Sequence, residues 1–268
     1  MAPVLFKIGP LPINAYGLLL VMGFFAGYWL LRRDLKERGA DEEFAATVLS
    51  GGMFTGLIGS RIFHVLENLD AYSGNNFGRI FTGSGFSWYG GFLLTAVTMI
   101  WLARRKNIHW STLIDAASPA LIVGYGFGRI GCFISGDGCY GVPCAALDLH
   151  WPVPFCMSFP HGAIPTTDVV VNTPLIEVAC ALLLFGYLQL VRKRVTAPAG
   201  LFAQMLIIHA VMRFAVEFIR LNPKLALGLT QAQWVSIAGV VIGIWLIIIG
   251  PRITVPPAEK HKFTKKKR

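Results

Sequence analysis

An ionisable side chain inside an apolar stretch is costly and marks a place where a chain does chemistry. Arg129 lies in Gly126-Phe-Gly-Arg-Ile-Gly-Cys-Phe-Ile-Ser-Gly-Asp-Gly-Cys-Tyr-Gly141, at the end of an apolar run, where the glycines predict that a helix gives way to an irregular turn. Farther on, His209, Arg213 and Glu217 recur at i, i+4 and i+8, which puts them on one helix face. Guanidiniums keep their charge and grip carboxylates or phosphates through two parallel hydrogen bonds. Two arginines at one site are therefore suited to an anion, with the imidazole as a nearby base. Two readings of the stripe stay open. In one, Arg213 and Glu217 pair within their helix and His209 packs below them. In the other, the stripe faces Arg129 across a cavity whose anion offsets the repulsion between the arginines.

The composition sets the class of element that must hold these groups. Of 268 residues 54% are hydrophobic and only 14% charged, and the mean hydropathy is +0.59. Such a chain is neither an ordinary soluble domain nor a disordered one. It reads as an all-α, polytopic membrane protein. Seven runs are long enough to cross about 30 Å of hydrocarbon, at Asn14–Leu31, Phe44–Leu66, Phe86–Ala103, Thr112–Ser135, Pro174–Val191, Leu201–Ile219 and Thr230–Gly250. The formal charge of +10 suggests nucleic acid only until the cations are placed. Arg32, Arg33, Lys36 and Arg38 follow the first span, Arg104, Arg105 and Lys106 the third, Arg192, Lys193 and Arg194 the fifth, and a basic tail over 251–268 the seventh. By the positive-inside rule the N-terminus is outside and the C-terminus cytoplasmic, with no nucleic-acid partner implied. The opposite side carries few cations, among them Lys7, Arg79, Arg220 and Lys224. The first span lacks a basic leader and a cleavage site and is expected to be retained. A single membrane domain over 1–250 is predicted.

This orientation gives each unusual residue a depth. Arg129 falls roughly 9 Å inside the outer end of the fourth span, at 1.5 Å per residue. Arg61 and Arg213 fall in the outward halves of the second and sixth spans, and Tyr16, Tyr89 and Glu177 near the outer ends of the first, third and fifth. On the cytoplasmic side Asp115 and Gln204 are near helix ends and within reach of headgroups. A membrane protein meets an anion at the outer level in a phospholipid headgroup. The outer loop, about 136–173, contains no Lys or Arg but has Asp137, Cys139, Cys144, His150, Cys156 and His161. The spacing of its cysteines and histidines matches no compact metal motif, so no metal is expected there. An exterior loop favours a disulfide; Cys139 with Cys144 or with Cys156 is possible, and so is a free thiol. The glycine pairs Gly51-Gly52 and Gly90-Gly91, with Gly56 and Gly59, read as helix-packing surfaces.

Taken in series these residues resemble a known family. Tyr16-Gly17, Gly59-Ser-Arg61, an aromatic residue before Gly90-Gly91, Gly128-Arg-Ile-Gly131 with Phe133, Gly136 and Gly141, and Arg213-Phe-x-x-Glu-Phe-x-Arg220 are together similar to prolipoprotein diacylglyceryl transferase. The resemblance implies a bacterial inner-membrane enzyme, needing no cofactor, that moves the diacylglyceryl group of phosphatidylglycerol onto the lipobox cysteine in the signal peptide of a preprolipoprotein. Its partners would be that peptide and membrane lipids. It maps the family's important arginines to Arg129 and Arg213 and its glutamate to Glu217, with Tyr16 as the tyrosine of the first span. Arg61, Cys132, Ser135, Asp137 and Gly141 would complete the substrate-binding surface. The family's histidine of the third span is Tyr89 here and its tyrosine of the sixth span is His209, an exchange that makes His209 the expected base and Tyr89 its orienting partner. Cys132 and Ser135 replace asparagines of the signature and Asp137 a glutamate. A non-catalytic phospholipid-binding relative and an anion or lipid transporter are the other classes. A transporter would call for internal symmetry and polar groups on both faces of the membrane.

Overall fold

A computed structural model describes residues 3–9, 11–69, 87–148 and 150–254. Seven long helices lie among them: α1 (Ala15–Glu37), α2 (Phe44–Glu67), α3 (Trp88–Arg105), α4 (Trp110–Ser135), α5 (Thr173–Val191), α6 (Gly200–Val216) and α7 (Gln231–Ile249). They occupy the predicted runs in order. The expected start of the third run at Phe86, Arg79 and the basic tail from residue 255 lie outside the described residues. Among the described residues, five helices are long and apolar enough to cross a membrane: α1, α4, α5, α6 extended by its terminal 3-10 turn, and α7 with its own. The glycines, serines and threonines of α2 and α3, with Arg61 and His64, dilute their apolar character.

The helices differ from the predicted runs where hydropathy is a poor guide. Helix α1 runs on to Glu37 because Arg32, Arg33, Lys36 and Glu37 are polar yet good helix formers. Among the described residues, two short antiparallel hairpins also qualify the all-α reading. One, β1 (Val4–Ile8) with β2 (Leu11–Asn14), leads directly into α1; the other, β3 (Cys156–Phe159) with β4 (Thr166–Val171), lies in the loop between α4 and α5.

The chain forms two compact units. One holds α2 and α3, which approach at backbone contact. A Cβ on Gly59 would strike the carbonyl of Gly90, and one on Gly90 the carbonyl of Gly59. Thr55 and Thr95 add a hydroxyl–hydroxyl hydrogen bond of 3.1 Å across the pair. Small residues thus do the packing, because they let the two backbones approach closely.

The other unit comprises Met1–Leu31 and Ile114–Thr254. Its core joins Ile122 of α4, Ala181, Leu184 and Leu188 of α5, and Leu201 and Met205 of α6. Asp115 is buried rather than turned to headgroups, and its Oδ1 accepts from the backbone N–H of Phe202 at 2.9 Å, satisfying one free donor in the first turn of α6. Gln204 accepts from the Tyr187 hydroxyl at 2.8 Å.

The loop after α4 is a built structure. A disulfide joins Cys144 to Cys156 and leaves Cys139 a free thiol. Gly141 donates to the Val171 carbonyl at 2.8 Å and Val142 to that of Ile219 at 3.0 Å, stitching the loop to the ends of β4 and α6. Asn172 caps α5 by accepting from the N–H of Leu175, and its Nδ2 donates to the Pro154 carbonyl. Thr173 donates to the Cys139 carbonyl at 2.6 Å.

Candidate active site

The site grows from three segments of the larger unit. The last turns of α4 carry Arg129 and Cys132, the first turn and a half of α5 carries Glu177, and α6 carries His209 and Arg213. At Glu217 the α6 backbone tightens into a 3-10 turn that ends at Ile219, after which Arg220 is extended and bridges to Gly141. Both termini of the outer loop therefore converge on the end of the arginine-bearing helix.

The carboxylate of Glu177 stands where the two arginines need an anion. Its Oε2 is 2.8 Å from Arg129 Nε, and its Oε1 is 3.4 Å from Arg213 Nη1 and 3.6 Å from Arg220 Nη1. Glu217 Oε2 lies 2.6 Å from Arg213 Nη1 and 3.9 Å from Arg220 Nε, while its other oxygen accepts from Asn222 Nδ2 at 2.5 Å. Each of the two open readings is partly realised. Arg213 and Glu217 do pair within their helix, and the same face does look toward Arg129, but through the protein's own carboxylate.

Formal charge sharpens the picture, since Arg129, Arg213 and Arg220 face Glu177 and Glu217, leaving one positive charge in excess. Both carboxylates are almost fully buried, at 2% and 3% exposure. Arg213 Nη1, Arg220 Nε and Arg220 Nη1 are buried in ion pairs yet make no aligned hydrogen bond. Buried donors in that state are uncommon and call for a reason.

His209 lies one turn before Arg213 on α6 and lines the same recess. Its ring meets Tyr125 edge-on at 4.6 Å, and its Nδ1 is buried without a hydrogen-bond partner. Tyr125 also lies under the Arg129 guanidinium, 5.1 Å from the ring centre. Tyr125, Glu177, Cys180, His209, Met212, Arg213 and Val216 enclose a small recess.

The other expected site residues divide into distinct groups. Tyr16 packs its ring on Gly131, where a Cβ would come within 2.8 Å of Tyr16 Cδ2, and 42% of the residue is exposed. Cys132 Sγ lies 4.0 Å from Arg129 Nη1. Ser135 is turned to its own helix, its hydroxyl donating to the Gly131 carbonyl at 2.7 Å. Gly141 serves as the seam with Ile219, whose carbonyl a Cβ there would strike. Arg61 and Tyr89 belong to the smaller unit, on α2 and α3.

Cys132, Asp137 and Cys139 form a second cluster, with a sulfur, a carboxylate oxygen and a sulfur all within 4.8 Å of one another. Asp137 Oδ1 accepts from the Cys139 backbone N–H at 3.2 Å. A hydrogen bond from the Cys132 thiol holds the Cys139 thiol below its usual range, at about 7, against the opposing effect of burial.

Glu177, Arg220 and Tyr125 were not among the expected site residues. Glu177 had a signal, as the one charged residue of an otherwise apolar span at the depth of the arginines. Arg220 lay within the quoted family motif. Nothing in the sequence pointed to Tyr125.

Comparison with known proteins adds a second line of observation. The family model described as prolipoprotein diacylglyceryl transferase matches residues 3–249. A phosphatidylglycerol–prolipoprotein diacylglyceryl transferase of Leptospira interrogans is 32% identical over 233 residues, which cover 78% of this chain and 72% of that protein. One of Dehalococcoides mccartyi is 30% identical over 259 residues, covering 93% and 94%. Another, of Clostridium tetani, is 27% identical over 251 residues, covering 93% and 98%.

Proposed function

The chain belongs to the prolipoprotein diacylglyceryl transferase family, and we infer that it is a transferase that moves the diacylglyceryl group of phosphatidylglycerol to a cysteine of a prolipoprotein. The acceptor is the lipobox cysteine of the signal peptide. Its sulfur forms a bond to the glycerol carbon that carries the phosphate. The carbon–oxygen bond breaks, and the electron pair leaves on the phosphate oxygen of glycerol phosphate. A thioether remains.

The excess positive charge around Glu177 carries this reading. Three guanidiniums and two carboxylates leave room in charge for one phosphodiester, and the misaligned N–H groups of Arg213 and Arg220 are the donors available to it. As the carbon–oxygen bond breaks, negative charge grows on the leaving phosphate. Pre-placed arginines in a dry site stabilise that change without reorganising. Arg129 and Arg213 take this role, Glu217 and Glu177 hold them, and Tyr16 borders the entrance on the exposed side. His209, with its free Nδ1, takes the thiol proton. The peptide sulfur approaches past Cys132 and Asp137.

The enzyme is a multi-pass protein of the bacterial inner membrane, with seven spans, the N-terminus outside and the site in the outer leaflet. Cysteine-accessibility labelling of the two termini in spheroplasts tests that orientation. The activity is tested by placing the purified protein in vesicles with a lipobox cysteine peptide and weighing the peptide. A diacylglyceryl mass gain is expected in phosphatidylglycerol vesicles and none in phosphatidylcholine vesicles. An unchanged peptide in both, with folded protein present, sinks the assignment.

A further inference from the structure

We propose that Cys132, Asp137 and Cys139 bind one zinc ion beside Arg129, and that the ion's fourth position takes the thiolate of the acceptor peptide. The second half of this statement rests on the transferase reading; the first does not.

The three donors have the chemistry and the approach that zinc requires. Zinc takes thiolate sulfur at about 2.3 Å and carboxylate oxygen at about 2.0–2.2 Å, in a tetrahedron. Two ligands of such an ion are then about 3.5–3.8 Å apart. The donor atoms already lie within 4.8 Å of one another, so roughly an ångström of side-chain adjustment closes the site around an ion. Two thiolates select a soft ion over magnesium or calcium.

The spacing shows why the sequence hides the set. Cysteines and histidines counted within the outer loop give no metal pattern, because one ligand, Cys132, belongs to α4 and precedes the loop. The chain turns back at Gly136 and Gly138, both at positive φ, and this returns Asp137 and Cys139 to the helix end. The turn also orients the carboxylate: the Cys139 N–H holds Asp137 Oδ1, which leaves Oδ2 for the ion. Such outer contacts fix the direction of metal ligands.

Charge and access agree with an occupied site. Two thiolates, one carboxylate and a divalent ion sum to one negative charge. Arg129 Nη1 lies 4.0 Å from Cys132 Sγ, so this anionic site borders the cationic phosphate site. Cys132 is buried, at 8% exposure, while Asp137 and Cys139 are only half-buried, so the ion would be closed on the helix side and open on the loop side.

Three protein ligands and one open position are the arrangement of catalytic rather than structural zinc. A thiol that binds there gives up its proton more readily, His209 still accepting it, and remains bound as thiolate. It then forms the sulfur–carbon bond while the phosphate oxygen leaves with the electrons of the broken carbon–oxygen bond. The zinc is neither oxidised nor reduced.

The full-length protein, purified in detergent under mild reducing conditions and dialysed against zinc, should hold about one zinc per chain by mass-spectrometric metal analysis. The Cys132→Ser/Cys139→Ser double variant should lose it, Asp137→Asn should retain it only weakly, and Cys180→Ser should keep the full equivalent. Wild-type protein without stoichiometric zinc, or with Cys132 and Cys139 joined as a disulfide, overturns the site, whatever the variants do. Zinc retained by the folded double variant overturns it as well. For the open position, cobalt replaces zinc and the visible spectrum is followed as a lipobox cysteine peptide is added. A new sulfur-to-cobalt charge-transfer intensity, absent with the serine counterpart of the peptide, is expected. An unchanged spectrum overturns the thiolate role. Zinc content and spectrum are read without turnover, so failure of the transfer assay cannot be mistaken for failure of the metal site.

Discussion

Replacing Glu177 by glutamine keeps the side chain's shape and removes only its charge. Three guanidiniums then share Glu217 alone. At an effective dielectric of about 20, a unit-charge contact at the 2.8, 3.4 and 3.6 Å separations seen here is worth about 5 kcal/mol before solvation is counted. Desolvation of four buried ions offsets most of that sum. What remains, when one partner of a buried pair is deleted, is about 3–5 kcal/mol. For a chain of this length such a loss lowers the thermal midpoint by on the order of 10 °C. Arg129, released from its 2.8 Å contact, also loses the orientation its role in the transition state depends on, so transfer should fall about 10²–10³-fold in kcat/KM. Glu177→Asp, which keeps the charge but shortens the reach, should lie between. The assay pairs a thermal melt in detergent with peptide-modification kinetics in phosphatidylglycerol vesicles. If Glu177→Gln melts and turns over like the parent protein, this carboxylate is not what holds the arginines together, and the charge argument for the site fails with it.

Other substitutions test separate parts of the structure. Arg129→Lys should lose at least about 100-fold in transfer, because a lysine cannot reproduce the planar two-point contact; recovery of parental kinetics in the vesicle assay would refute that geometry. His209→Phe, which preserves the ring against Tyr125, should leave the melt close to parental and depress kcat, so an unchanged kcat removes His209 as the base. Opening the Cys144–Cys156 bridge with a double alanine variant should cost about 3 kcal/mol, as expected for a loop of this size; the readout is faster proteolytic cutting between residues 136 and 173. Gly59→Ala should force α2 and α3 apart at the Gly90 carbonyl and destabilise the protein by about 1–3 kcal/mol, measured by the thermal melt.

Much of the helical framework was legible because apolar length is a local property. The end of α1 was not, since Arg32, Arg33 and Lys36 extend a helix without adding hydropathy. Hydropathy also says little about α2 and α3, whose contact rests on glycine rather than on apolar mass. The hairpins escaped notice because strands of four to six residues leave a weak periodic signal. At the site, charge and depth foretold that Arg129, Arg213 and Glu217 gather. They could not foretell partners, as pairing depends on which helices become neighbours. So the anion that one of the two open readings put between the arginines is supplied by Glu177 from a third helix. Asp115 was misplaced for the same reason, its partner Phe202 being 87 positions away. The cysteine pairing was equally beyond counting, whereas the cluster of Cys132 with Asp137 and Cys139 depends on two glycine turns whose geometry no spacing rule contains.

The carboxylate shared by three guanidiniums also bears on how such a chain can change over generations. Glu177 answers to Arg129 on α4, Arg213 on α6 and Arg220 beyond it, so exchanging Glu177 alone leaves three buried guanidiniums against one carboxylate. Divergence at these positions must be concerted or pass through a weakened intermediate. Ser135 hydrogen-bonds only within its own helix and carries no comparable tether, so change on the side where the acceptor arrives is confined to positions of that kind while the phosphate side stays locked.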